Sequence, residues 1–295
     1  MAHFLDPKND LTFKRVFGEH KHLCKSLLNS MLMFKEPIVD IEYQTGELIP
    51  ELVDVLRNTI VDVRCTDTTG RQFLVEMQLF WNESFKSRVL LNASKAYVKQ
   101  LDKAQDFKLL QSVYALNFVN DTFEKSSEMK DEYFHHYKIV NINNTEKQIK
   151  GLEFLFVELP KFTPQNRAEK KLHELWLRFL TEINEKTKEI PQDLLDNEEV
   201  REAIGYVERG AYTKEQLEAY DKWKIDVMTA RGMIDAALNE GRAEGEALGL
   251  EKGEINNQKK VIANGIRAGY SIEIISTVSG LTIEEVMKII EEEKL

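Results

Sequence analysis

Ile60–Phe80, IVDVRCTDTTGRQFLVEMQLF, is the stretch whose reading decides the fold. Residues 59–65 and 72–80 alternate with a period of two around Asp, Thr and Gly, the residues turns favour, which predicts an antiparallel hairpin. Each run carries groups that a buried strand avoids, Asp62 in the first and Glu76 and Gln78 in the second. Successive strand side chains point to opposite faces, so Glu76 and Gln78 share one face while Val75, Met77 and Leu79 share the other. Asp62 and Glu76 are fourteen residues apart, and a loop of five to seven residues brings them roughly opposite one another, with both carboxylates in one pocket.

Two carboxylates that close repel, and one takes up a proton unless a cation neutralises them. A hard divalent ion such as Mg²⁺, held by one or two carboxylates with water completing its octahedron, resolves the conflict. Such an ion polarises a phosphodiester and lowers the pKa of its bound water, so the pattern suits phosphodiester hydrolysis. From spacing alone, an edge strand whose polar face meets water accounts for the same residues.

Working outward, Leu11, Val16, Leu23, Leu27, Leu28 and Leu32 recur at helical spacing, with Asn9 or Asp10 as cap, and predict a helix over 10–34, interrupted at Gly18 and stopped by Pro37. Residues 38–44 predict a short strand, 85–101 a helix, and 110–119, 133–142 and 152–159 three further strands. After Pro164 the chain turns charged, Leu-rich and helical, punctuated at Pro191 and Gly210. The expected organisation is an α/β domain over 1–165, a helical region over 166–230, a Gly-periodic helix or linker over 231–257 and a small helical module over 258–295.

The 295 residues, 42% hydrophobic, supply a sizeable core. A net charge of −10 argues against a chain built wholesale to coat nucleic acid, although a local basic groove fits within it. Cys24 and Cys65 stand in no metal or redox spacing, which argues against a zinc site or disulfide framework and fits a reducing compartment. The first residues, MAHFLDPKNDLTFKRVFG, lack an apolar signal core, and no run reaches the length of a membrane span. A cytoplasmic location, with no membrane and no small-molecule cofactor, is the expectation.

Around NDLTFKRVFG (9–18), TIVDVRCTDTTGRQFLVEMQ (59–78) and SRVLLNASKAYVKQL (87–101) the sequence resembles the Rpn family of recombination-promoting nucleases, also called PD-(D/E)xK nuclease family transposases. The Gly-rich tail and the terminal SGLTIEEV are similar to the family as well. The resemblance implies an α/β, restriction-endonuclease-like core, a mixed central sheet flanked by helices, followed by an α-helical C-terminal extension. It implies DNA as partner and a link with recombination and mobile elements, without implying a DDE-transposase mechanism. The motif's first acid falls on Asp62 and its second on Glu76, both as metal ligands, and the position usually held by Lys falls on Gln78. Val61 stands for the motif's Pro. The family's Asp-x-x-Phe-Lys falls on Asp10, Phe13 and Lys14, which places Asp10 beside the metal and Lys14 beside the nucleic acid.

Gln78 departs from the superfamily pattern, though Glu-x-Gln is usual for this family: an ammonium stabilises phosphate charge, whereas a neutral amide orients a water without adding charge. Arg88, Lys95, Lys99 and Lys103 fall on roughly one face of the following helix. They form either a phosphate-facing stripe, with Lys95 replacing the missing ammonium, or a solvated helix face.

Other features point elsewhere. His135 and His136 adjoin in a strand and so face opposite ways, which suits surface or strand-end histidines better than a metal pair. Cys24 is expected as a small core residue rather than a nucleophile. Glycines at 241, 245, 249 and 253 cost about 4 kcal/mol in a helix, at about 1 kcal/mol each relative to Ala. Close approach of a second helix would offset that, which leads to an expected homodimer; the other reading is a frayed linker, and sedimentation of a chain ending near Met233 separates the two. The terminal AGYSIEIISTVSGLTIEEVMKII predicts two short helices joined at Gly280, with Thr282 and Glu285 in capping-box spacing. The acidic second helix has the wrong sign for a DNA groove, which favours a protein-contact module.

The function expected is a Mg²⁺-dependent DNA endonuclease: Asp62 and Glu76 on the metal with Asp10 in support, Gln78 positioning the water, and Arg88, Lys95, Lys99 and Lys14 on the nucleic acid. RNA stays open as substrate, since this chemistry does not depend on the sugar. The rival is a catalytically silent scaffold that keeps the fold and binds nucleic acid or protein.

Overall fold

The computed structural model describes residues 4–44, 62–102, 106–164 and 171–293. Among these residues six strands form one mixed sheet: β1 (Ile41–Tyr43), β2 (Val63–Asp67), β3 (Gln72–Gln78), β4 (Val113–Val119), β5 (Phe134–Asn141) and β6 (Asn144–Glu158), in the order β1-β2-β3-β4-β6-β5. β1, β2 and β3 run antiparallel, β3, β4 and β6 parallel, and β5 returns antiparallel along β6. The part of the predicted hairpin at 59–61, Val61 included, lies outside the described residues.

The hairpin is set by its turn. Asp67 Oδ1 accepts from the Thr69 and Arg71 N–H groups at 2.9 and 3.0 Å, and its Oδ2 accepts from Arg71 Nε at 2.7 Å. Gly70 adopts φ +88°, a region that L side chains rarely enter, and a Cβ there would meet Gln111 Cγ at 3.0 Å. This turn fixes the pairing Val63↔Val75 and Arg64↔Leu74, and one step further Asp62 falls opposite Glu76, as the spacing predicts. A slip of one residue would send every side chain to the other face.

The two faces bury different partners. Val63, Cys65, Phe73, Val75, Leu116, Phe118, Leu155 and Val157 pack against Phe13, Phe17, Leu23, Leu27 and Leu28 of the N-terminal helices. Leu74, Ala115, Val119 and Phe156 pack against Phe85, Val89, Ala93 and Ala96 of α3 (Ser84–Val98), the crossover between parallel β3 and β4.

Where one helix was expected over 10–34, the chain forms α1 (Asp10–Phe13), a π-helical turn (Lys14–Gly18) and α2 (Lys21–Leu32). Helical periodicity does not distinguish these winds, and the carbonyls near the irregular turn need other donors: Tyr43 Oη donates to Phe17 O at 2.7 Å, and His20 Nδ1 lies 2.7 Å from Arg15 O. α2 ends four residues before the expected Pro37 stop, with Met33 at φ 45°.

Helices α4 (Leu172–Glu182), α5 (Gln192–Asp196) and α6 (Glu198–Tyr206) belong to the same core as the sheet: Trp176 and Phe179 are fully buried, and the Trp176 ring lies 5.4 Å from that of Phe17. The compositional change at Pro164 and the division of the structure therefore fall at different places, since the first compact unit runs through Tyr220 and the second begins at Asp221. In the second unit Ile262, Ile275 and Val286 form a small core with α8 (Ile272–Ser279) and α9 (Ile283–Glu293). The expected capping box is present: Glu285 Oε2 accepts from Thr282 N–H at 2.8 Å, and Thr282 Oγ1 accepts from Glu285 N–H at 3.3 Å. Helix α7 (Lys214–Arg267) carries Gly241, Gly245, Gly249 and Gly253 on exposed backbone, where an added Cβ would meet nothing within 4 Å.

His135 corrects the surface reading. It is buried, and its Nε2 lies 2.8 Å from Glu158 Oε2, whereas exposed His136 pairs with Glu153 at 2.7 Å. Glu158 is fully buried and also takes the Lys161 ammonium at 2.7 Å and the Phe123 and Glu124 N–H groups at 2.6 and 3.1 Å. Cys24 and Cys65 are both buried thiols. Among the described residues no helix is long and apolar enough to cross a membrane.

Candidate active site

At the end of β2 and β3 the sheet brings the predicted carboxylates together. Asp62 precedes β2, and its Oδ2 accepts the Met77 N–H at 2.7 Å, a bond that ties the strand end to β3. Glu76 is 5% exposed; its Oε1 accepts from Asn92 Nδ2 at 3.0 Å, and its Oε2 lies 3.5 Å from the Arg88 guanidinium. Asp10 and Lys14, one turn apart at the start of the chain, approach from α1 and the π turn. The Lys14 ammonium is 2.7 Å from Asp10 and 4.0 Å from Asp62.

Burial dominates the electrostatics. It pushes the Asp62 carboxyl up to about 7; the Met77 N–H opposes this, while Asp10 and Glu76, both negative, add to it. Burial raises Glu76 as well, against Asn92 and Arg88, which favour its charged form. A half-buried and a buried carboxylate that both resist ionisation form a locus that a cation would stabilise.

Gln78 closes the site on the strand. Its Oε1 accepts from Arg88 Nη2 at 2.7 Å, and its Nε2 donates to Phe80 O at 2.7 Å. One guanidinium therefore spans Gln78 and Glu76, and its carbon lies 4.8 Å above the Phe85 ring. Arg88 is a cation in contact with both residues. Lys95, half-buried, follows on α3 seven residues later, about 10 Å along the axis from Arg88, and half-buried Lys99 caps the helix and opens a 3-10 turn. Lys103 lies outside the described residues.

Asn92 is the residue sequence reasoning missed. It is 1% exposed, one turn beyond Arg88 on the stripe that continues to Lys95, and its Oδ1 has no hydrogen-bond partner among the described residues. Its signal was available: a polar side chain between Val89 and Ala93 on the buried face of an amphipathic helix.

Among the described residues no three His, Cys, Asp or Glu side chains converge tightly enough to enclose a metal ion. The donor chemistry nonetheless suits a hard ion, since Mg²⁺ is bound through one or two carboxylates with water filling its other positions. Neither curated proteins nor solved structures returned a match to the chain. A family model does match, that of the PD-(D/E)XK nuclease family transposases, over residues 7–235, a span that covers the sheet, α1 to α6, Asp10, Asp62, Glu76, Gln78 and Arg88. By that match the chain belongs to the PD-(D/E)XK nuclease family transposases.

Proposed function

We propose that the protein is a divalent-metal-dependent endonuclease that hydrolyses phosphodiester bonds in DNA. The observation that carries this reading is half-buried Asp62, one step before the Val63↔Val75 pair, beside buried Glu76, with the Asp62 carboxyl raised to about 7. Asp62 and Glu76 would hold a Mg²⁺ ion with Asp10 at the margin, and the bound ion supplies Lewis acidity toward phosphate and water.

The chain's own groups do the positioning. Met77 N–H orients Asp62, and Asn92 orients Glu76. Gln78, neutral, is held by Arg88 and Phe80 O and places its amide where an attacking water would be aligned. Arg88 brings the positive charge that Gln78 lacks and so stabilises charge developing on the phosphate. Lys14, Lys95 and Lys99 extend the positive margin along which a DNA backbone would lie.

Incubation of supercoiled plasmid with purified protein and Mg²⁺ tests the reading. Nicking or linearisation should appear with the wild type and fall by at least about a hundredfold in Asp62→Ala and Glu76→Ala. Cleavage that both variants retain would remove the assigned site. A folded wild type that leaves the plasmid intact across divalent ions would favour the silent scaffold.

A further inference from the structure

We infer that Arg64 is a seat for a nucleic-acid phosphate neighbouring the one cleaved at Asp62 and Glu76, an assignment that rests on the hydrolase reading above. Arg64 lies on β2, paired with Leu74, two positions along from the Asp62–Glu76 level. Strand residues two apart share a face, so Arg64 stands on the face of the two carboxylates, about 7 Å from Asp62 along the strand. A nucleic-acid strand advances about 3.4 Å of helix axis per phosphate, so that backbone spacing is about two phosphate steps, and the guanidinium leans further along the strand toward Gln72.

The guanidinium is half-buried and poorly compensated. Nη2 makes a long 3.3 Å bond to Gln72 Oε1, a neutral oxygen, and Nε is buried with no partner among the described residues. Three other guanidinium groups in the first unit hold carboxylates, Arg71 with Asp67, Arg88 with Glu76, and Arg178 with Glu182 and Asp193, while Arg15 and Arg201 donate to the Ala211 and Leu195 carbonyls at 2.9 Å. A cation withdrawn from water without a counter-charge is destabilising, and a bound anion would supply the missing charge. The forked donors of Arg match a phosphate in two-point contact, and a phosphate is the anion that the neighbouring carboxylates would handle.

The test uses the full chain carrying Arg64→Gln and, separately, Arg64→Lys, titrated against a short fluorescein-labelled DNA duplex in Ca²⁺ over a range of salt, with thermal unfolding measured in parallel. Arg64→Gln should bind about tenfold more weakly at low salt. Its plot of log affinity against log salt should be shallower by about 0.9, the loss of one phosphate contact, and Arg64→Lys should recover most of the slope. The unfolding midpoint of Arg64→Gln should stay level or rise, because an uncompensated charge has been removed. An unchanged slope, or a midpoint that drops while the slope holds, would overturn the assignment and make Arg64 a structural tie to Gln72. If that happens while the wild type still binds and cleaves, only this inference falls; a wild type that binds no duplex ends both it and the hydrolase reading.

Discussion

Two buried glutamates sit near the same end of the sheet and on the same face, Glu76 on β3 and Glu158 on β6, and they are solvated by the protein in opposite ways. The register Gln78↔Val119↔Glu158 places Glu158 two residues beyond the level of Glu76, with β4 between them. Glu158 receives four donors: a histidine, an ammonium and two backbone N–H groups. Glu76 receives one amide and a guanidinium at 3.5 Å, and faces the second acid, Asp62. Burial is common to both, so burial does not mark a site. The difference lies in donor supply: Glu158 is saturated and locks the 123–135 segment, whereas Glu76 is left with capacity for a cation.

That contrast is most exposed to failure in stability. Glu158→Ala should cost about 3–5 kcal/mol, because it strands buried His135 and the Lys161 ammonium, whereas Glu76→Ala should change stability by less than about 1 kcal/mol while cleavage is lost. Urea unfolding of the two variants beside the wild type measures both, and equal losses would end the distinction.

The next effect is a slope with pH. In the folded chain the Asp62 carboxyl is raised from 3.8 to about 7, so between these values the folded state holds a proton that the unfolded state has released. The stability this confers is fully present below about pH 4 and disappears as pH rises through about 7, a change of up to about 4 kcal/mol. Asp62→Asn should flatten the profile in metal-free buffer, and urea midpoints at the two ends of the window check it. A wild-type profile no steeper than that of the variant would contradict the burial argument.

The smallest effect concerns the cation. Arg88→Ala should slow plasmid cleavage by about tenfold, or about 1.4 kcal/mol of barrier, with Arg88→Lys intermediate. Should Lys95→Ala slow cleavage more than Arg88→Ala, the positive charge the reaction needs comes from the second position on the helix.

Much of this geometry was legible in the residues. The Asp-Thr-Thr-Gly turn and the period of two were enough to set Asp62 against Glu76, because in a hairpin register follows from turn and pattern. The N-terminal helix was not legible in detail, since apolar spacing is nearly the same through an α-helix and a π turn. Arg88 and Lys95 do lie on one helix, but which of the predicted cations meets Gln78 depends on where α3 starts after β3, and a helix start shifted by a turn would change the answer. Asn92 left a signal, a polar side chain on the buried face of α3, whereas a lone Arg64 in a strand carries no periodic signal. Their meaning arises from unpartnered atoms, which only three-dimensional packing reveals. Likewise, the charged face of 172–206 hid a stripe, Trp176 and Phe179 among it, that belongs to the sheet's core.

The short connection from β3 into α3 has a kinetic consequence. The contacts that orient Gln78, Asp62 and Glu76 close over 10, 15 and 16 residues, whereas the Glu158 carboxylate reaches back 35 residues to Phe123. Loop closure over such short spans costs little chain entropy, and low contact order favours early formation. Most of the candidate site, Asp62, Glu76, Gln78, Arg88 and Asn92, therefore belongs to one contiguous hairpin-and-helix segment that can organise before the distant strands, and Asp10 and Lys14 of the N-terminal turns, join it.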